Sequence, residues 1–126
     1  MTNQYPLKAS ILIPVLNEEG FIENCIDSII SRTEDISNME IIIIDGGSQD
    51  STVNIVEELI KEYSFIKLLH NKKKITPAAL NIGIKNSQGN YIVRLDAHAE
   101  YSDGYISNSI SALENSSKDV VNVGGP

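Results

Sequence analysis

The sequence predicts an α/β fold: a doubly wound, mostly parallel sheet with helices on both faces. Three observations predict it. Five short apolar runs are rich in β-branched residues, the runs are near-continuous rather than alternating, and stretches of helical spacing separate them. A strand covered on both faces has no solvent side, so it reads as an unbroken apolar run. Strands that alternate with helices pair in parallel through crossover helices, right-handed because the chain is chiral.

The elements follow in order. Ala9–Val15 is the first strand. Asn17, ahead of Glu18 and Glu19, gives a start signal for a helix whose apolar positions are Phe21, Ile22, Cys25, Ile26, Ile29 and Ile30. Met39–Ile44 is the second strand, and Asp50-Ser51-Thr52 opens a helix carrying Val53, Val56, Leu59 and Ile60. Phe65–Leu69 is the third strand, followed by Thr76-Pro77, where proline suits a first helical turn, and by Ala78, Ala79, Ile82 and Ile84. Asn90–Leu95 is the fourth strand, with Ser102-Asp103 opening a helix through Tyr105, Ile106, Ile110 and Leu113. Asp119–Val123 is the fifth. The sequence then stops on turn residues, Gly124-Gly125-Pro126, and the expectation is a piece of a larger protein.

A length of 126 residues is one domain's worth, and 41% hydrophobic content marks a globular chain. Ten basic against 17 acidic residues give a net charge of −7. That balance argues against nucleic acid as a partner, because such binding needs Lys and Arg on phosphates. The lone cysteine, Cys25, excludes an intrachain disulfide and a multi-cysteine zinc site, which points to a reducing, cytoplasmic compartment. No apolar run approaches the roughly 18 residues of a membrane span, and Met1-Thr2-Asn3-Gln4 is no signal peptide.

Ligands of open α/β sheets bind outside the carboxyl ends of the strands. The turns there carry Pro14 to Gly20, Asp45 to Thr52, His70 to Lys74 and Asp96 to Glu100, so polar groups collect on one rim. The first turn lacks the Gly-x-Gly-x-x-Gly of a dinucleotide site and carries two glutamates that would repel a pyrophosphate. A Walker loop and a Gly-x-Ser-x-Gly elbow are absent too.

Asp96 and His98 form the sharpest pair. Two residues apart at a strand end, they can converge on one ion, and carboxylate plus imidazole suits Mn²⁺, or Mg²⁺ with retained waters. Such an ion bridges a diphosphate and neutralises charge on a departing nucleotide. The competing reading makes Asp96 a turn cap and His98 a surface imidazole. Asp45 follows its strand directly: it serves either a ribose or base, with Gly46 and Gly47 leaving room for the ligand, or an ordinary Asp-Gly turn. Asp50 reads as a helix cap, Glu18 and Glu19 as first-turn acids, and Asn17 as a cap or a ligand amide. Lys72-Lys73-Lys74 is a solvated loop or a source of one phosphate-facing charge. His70 reads as a strand-end residue and Cys25 as core packing.

Taken in order, these segments resemble the family 2 glycosyltransferases, enzymes of the GT-A fold. The resemblance rests on Ile11-Leu12-Ile13-Pro14-Val15-Leu16-Asn17-Glu18-Glu19 and on Ile43-Ile44-Asp45-Gly46-Gly47-Ser48-Gln49-Asp50-Ser51-Thr52. It continues in Ala78-Ala79-Leu80-Asn81-Ile82-Gly83 and in Gly89 to Ala99, and spans nearly all of the chain. The Asp96-Ala97-His98-Ala99 wording looks most like the succinoglycan-biosynthesis type. The resemblance implies a nucleotide-sugar-binding part over 1–126, with Pro14, Asn17, Glu18, Asp45, Asn81 and Asp96 around the nucleotide. It places Asp96 and His98 at the family's Asp-x-Asp metal position, with His98 in place of the second Asp, and implies Mn²⁺ or Mg²⁺. An extra glycine distinguishes Gly46-Gly47-Ser48 from the family's Gly-Ser.

By the same resemblance the donor is a UDP-sugar and the acceptor a saccharide or lipid-linked molecule in bacterial polysaccharide synthesis. Transfer inverts the anomeric centre, at the inner face of a membrane reached through segments outside this sequence. The catalytic base falls beyond residue 126, so these residues bind the donor and turn over poorly alone. A non-catalytic nucleotide- or metal-sensing domain is the alternative. A nucleotidyltransferase is a third, although it wants a basic Gly-rich loop where Asn17-Glu18-Glu19 stands.

Overall fold

The computed structural model describes residues 7–33, 36–72, 76–99, 101 and 105–116. Four strands, β1 (Leu7–Val15), β2 (Met39–Asp45), β3 (Ile66–His70) and β4 (Gly89–Arg94), form one sheet in the order β3-β2-β1-β4. Every pairing is parallel. The helices are α1 (Ile22–Arg32), α2 (Thr52–Glu62), α3 (Thr76–Lys85) and α4 (Tyr105–Ser116), and a single 3-10 turn at Ile36–Asn38 leads into β2. The α/β architecture is the one expected. The fifth strand, at Asp119–Val123, lies outside the described residues.

The isoleucine-rich strands divide by parity. Ile11, Ile13, Ile41, Ile43 and Val93 pack with Ile22, Cys25, Ile26, Ile29, Val56, Ile106 and Ile110 from α1, α2 and α4. Leu12, Ile42, Ile44 and Ile92 face the other way, onto Ala79 of α3. Both sheet faces are thus covered, which is why these strands carry no polar alternation. Each fully buried Ile or Leu contributes about 1.5–3 kcal/mol of transfer free energy, so the double layer holds the frame against chain entropy.

α3 approaches the sheet through small residues. Ala79 is buried, and a methyl at Gly83 would lie 2.9 Å from Leu12 Cδ1 and 3.2 Å from Ile44 Cδ1. Ile84, expected on the core face, is instead 44% exposed, because Gly83 takes the position against the sheet.

The order in which strands are added reverses at β1. The path runs β1, β2, β3 toward one edge, and β4 then adds on the other side of β1. The β1–β4 ladder ends at Leu12 and Arg94, closed by Leu95 N–H donating to Leu12 O at 2.9 Å. Peptide groups alternate along a strand, so Pro14 points its missing N–H toward β4 just past that ladder, where no partner is lost. Beyond that point the two strands share no ladder, and the crevice in which open α/β sheets take their ligands falls between their carboxyl ends.

Candidate functional site at the carboxyl rim of the sheet

α1 begins four residues later than a cap at Asn17 and first-turn acids at Glu18 and Glu19 would require. Its N-cap is Phe21, and Phe21 and Ile22 both donate to Glu18 O at 2.9 Å. The freed segment laces onto the β2–α2 turn. Asn17 N–H donates to Ser48 Oγ at 2.8 Å, and Gln49 N–H donates back to Asn17 Oδ1 at 2.8 Å. Glu18 N–H donates to Thr52 Oγ1 at 2.8 Å, Glu19 N–H to Asp50 Oδ2 at 3.2 Å, and Ser51 N–H to Glu19 Oε1 at 2.9 Å. Asn17 sits at φ 53, a left-handed conformation that asparagine tolerates and these bonds hold.

Asp45 closes its own turn. Its carboxylate is 3% exposed and accepts Gly47 N–H at 2.9 Å, Ser48 N–H at 3.1 Å and Ser48 Oγ–H at 2.5 Å. Gly47 has φ 101, so the second glycine of the pair is the one the turn needs. Ser48 Oγ therefore joins Asp45 to Asn17, a link that the family-like spacing did not reveal. The N-cap of α2 is Ser51 rather than Asp50, and Asp50, one residue earlier, accepts Thr52 N–H at 2.9 Å.

Asn81 lies elsewhere on the rim. With His70, Asn71, Lys72, Ala78 and Ile82 it lines a cleft of about 380 Å³ between the end of β3 and α3. Asn71 N–H donates to Asp45 O at 2.8 Å and ties that cleft to the end of β2.

Across the crevice, Asp96 follows β4. Its backbone is braced by Tyr101, whose hydroxyl accepts Asp96 N–H at 2.8 Å. Cys25, packed in the core as expected, points its thiol at Asp96 O from 3.6 Å, and burial pushes that thiol up to about 12. Asp96 Oδ1 accepts His98 N–H at 2.9 Å and lies 3.2 Å from His98 Nδ1. The His98 amide above all, then the imidazole, hold the Asp96 carboxyl below the usual aspartate range against the effect of burial. Both side chains are exposed to solvent.

The opposite ring nitrogen, His98 Nε2, lies 3.1 Å from Glu18 Oε1. Burial pushes the Glu18 carboxyl above its usual range; His98 opposes this and Asp96 adds to it. Phe21 left the core that its helical spacing predicted. It is 49% exposed, and its ring centroid lies 4.7 Å from that of His98.

Asp96 and His98 fit a divalent cation. Two ligands at right angles with bonds of about 2.1 Å stand roughly 3.0 Å apart, close to the 3.2 Å between Asp96 Oδ1 and His98 Nδ1. Among the described residues no three His, Cys, Asp or Glu side chains form a complete cage. A cation on this pair would therefore keep positions for water or ligand oxygens, as Mg²⁺-type sites do.

The model of the glycosyl transferase family 2 domain matches residues 10–125. This chain belongs to glycosyltransferase family 2. It is 34% identical over 118 residues to a Methanococcus voltae dolichyl N-acetyl-α-D-glucosaminyl phosphate 3-β-D-2,3-diacetamido-2,3-dideoxy-β-D-glucuronosyltransferase, covering 92% of this chain and 37% of that protein. It is 36% identical over 97 residues to the succinoglycan biosynthesis protein ExoA of Rhizobium meliloti, covering 75% of this chain and 29% of that one. Among solved structures, GalNAc-T7 with UDP, GalNAc and Mn²⁺ superposes with a TM-score of 0.75 at 23% identity, covering 87% of this chain and 21% of that chain. The chain thus spans roughly a third of the length of these curated relatives. The GT-A fold expected from the sequence is shown by that superposition. Among the described residues no helix of this glycosyltransferase-family chain is long and apolar enough to cross a membrane.

Proposed function

We propose that residues 1–126 are the nucleotide-sugar-binding part of an inverting glycosyltransferase. It transfers sugar from a UDP-sugar to a saccharide or lipid-linked acceptor in bacterial polysaccharide synthesis, at the inner face of a membrane. The observation that carries this reading is the placement of Asp96 and His98. They stand at the carboxyl end of β4, on the β1–β4 crevice where α/β sheets bind ligands, in a family 2 chain. GalNAc-T7, of the same fold, was solved with UDP and Mn²⁺, which supports the donor and the metal. The relationship to ExoA supports the polysaccharide role.

Each part of the rim has a task in this reading. Asp45, with an acceptor lone pair left after its three internal donors, takes a ribose hydroxyl or base N–H, and Asn17 lies beside it through Ser48. Asn81 and Lys72 face the donor from the β3–α3 cleft, Lys72 as a point charge for phosphate. Pro14 lines the nucleotide pocket. Asp96 and His98 hold Mn²⁺ or Mg²⁺, which when bound offsets the diphosphate's charge as the nucleotide departs. The acceptor-deprotonating base comes from outside these residues, in keeping with relatives about three times as long.

Calorimetry and thermal shift with UDP, GDP, CDP and dTDP, each with and without Mn²⁺, test this. UDP at 100 times its dissociation constant adds about 2.7 kcal/mol of stability. That gain is expected only with Mn²⁺ and is lost in Asp96→Ala. Equal stabilisation of wild type and Asp96→Ala, or stabilisation independent of metal, refutes the site and favours a nucleotide-sensing domain.

A further inference from the structure

Glu18 poses a question that its place in the turn does not answer. Its backbone holds the turn, but its carboxylate Oε1 is buried and accepts no aligned hydrogen bond. A buried acceptor without a donor loses about 1–3 kcal/mol, so such an atom calls for an explanation. The atom facing it is His98 Nε2, 3.1 Å away, from the other side of the crevice.

A neutral imidazole carries one N–H. In the structure the aligned contact is His98 Nδ1 with Asp96 Oδ1 at 3.2 Å. A cation shared by Asp96 and His98 needs the Nδ1 lone pair, and the ring proton then has to sit on Nε2. Glu18 Oε1 is 3.1 Å from that nitrogen but off the line of its N–H, so a small turn of the ring would bring the two into a hydrogen bond. Ligating histidines generally give their second N–H to a carboxylate or carbonyl, which fixes tautomer and ring orientation. Phe21 bounds one face of the ring at 4.7 Å and limits its turning.

We propose that Glu18 is the positioning residue for His98. It accepts Nε2–H across the β1–β4 crevice and so presents Nδ1, beside Asp96 Oδ1, to the divalent cation. This rests on the reading of Asp96 and His98 as the metal pair. Glu18, on β1's turn, then couples metal loading at β4 to the laced turns of β1 and β2.

The test uses Mn²⁺ alone, followed by electron paramagnetic resonance, and ¹⁵N–¹H long-range spectra of the His98 ring with and without Mg²⁺. Glu18→Ala is expected to weaken Mn²⁺ binding roughly 10–100-fold. Glu18→Gln keeps an acceptor oxygen and should stay within a few-fold of wild type. With Mg²⁺ the wild-type ring should carry its proton on Nε2, and Glu18→Ala should need a roughly 10–100-fold higher Mg²⁺ concentration to reach that state. Wild-type Mn²⁺ affinity in Glu18→Ala, or an Nδ1-protonated ring in the Mg²⁺ state, overturns the role of Glu18. Asp96→Asn separates the two levels: if it abolishes Mn²⁺ binding while Glu18→Ala does not, only the positioning role fails. If Asp96→Asn changes nothing, or wild type binds no Mn²⁺, the metal pair itself is wrong.

Discussion

Ser48→Ala is the substitution that most directly probes the rim. Ser48 Oγ donates to Asp45 Oδ1 at 2.5 Å and accepts Asn17 N–H at 2.8 Å. The first bond goes to a buried carboxylate, and a hydrogen bond to a charged group contributes about 1.5–3 kcal/mol. Asp45 keeps Gly47 N–H and Ser48 N–H, so the loss sits near the lower end of that range. The second bond adds little, because Asn17 is exposed and water can replace the hydroxyl. The sum is about 2 kcal/mol, or roughly 8 °C in Tm for a domain of this size. With one of its three donors gone Asp45 is held less firmly, so nucleotide affinity should fall with stability. Ser48→Thr retains the hydroxyl and should lose much less of both. Thermal unfolding and calorimetric titration of UDP with Mn²⁺ provide the readouts. A Ser48→Ala protein within 2 °C of wild type by this scale would refute the energetics. A destabilised protein with unchanged nucleotide affinity would remove Asp45 from the nucleotide site.

Two predictions concern the opposite end of the sheet. A methyl at Gly89 would lie 2.4 Å from Ala9 C and Ser10 N, which are backbone atoms of the central strand and cannot turn aside. Gly89→Ala should therefore push β4 off β1 and cost at least the upper end of the usual 1–3 kcal/mol for overpacking, measurable by urea unfolding; a loss below 1 kcal/mol would contradict this geometry. Glu40 is 2% exposed, accepts Ser10 Oγ–H and Gln88 N–H, both at 2.6 Å, and pairs with Lys67 Nζ at 2.8 Å. Burial raises its pKa, but Lys67, Ser10 and Gln88 outweigh burial and bring it below the ordinary 4.5. A carboxyl lowered in this way stabilises the fold above pH 4.5, and the contribution disappears as pH falls through the folded value. Wild type should lose stability on acidification through that window, and Glu40→Gln should show a shallower loss; parallel pH profiles would exclude the network as the cause.

The frame was legible because burial on both faces imprints itself locally. The β2 run, expected over Met39–Ile44, is observed over Met39–Asp45, and β4, expected over Asn90–Leu95, over Gly89–Arg94. The rim was harder to read because its contacts are distant in sequence. Asn17, Glu18 and Glu19 carry the local signature of a helix start, and nothing within four residues shows that Ser48, Thr52 and Asp50 compete for the same groups from 31 to 34 positions away. Phe21 and Ile84 have core spacing, yet one meets His98 and the other gives way to Gly83.

The chemistry of the rim follows from that same competition. An Asn17 that capped α1 would point its amide down the helix. Left-handed at φ 53 and bonded to Gln49, it instead extends the β1 turn and brings Glu18 to 3.1 Å from His98. Residues that could have closed a helix are thus used to join two turns. Because β1 and β4 share no ladder beyond Leu12 and Arg94, side chains must span the crevice if its two sides are to act together. Glu18 and Phe21 do so, both through His98, and a ligand entering between Asp45 and Asp96 would meet a rim already braced from both sides.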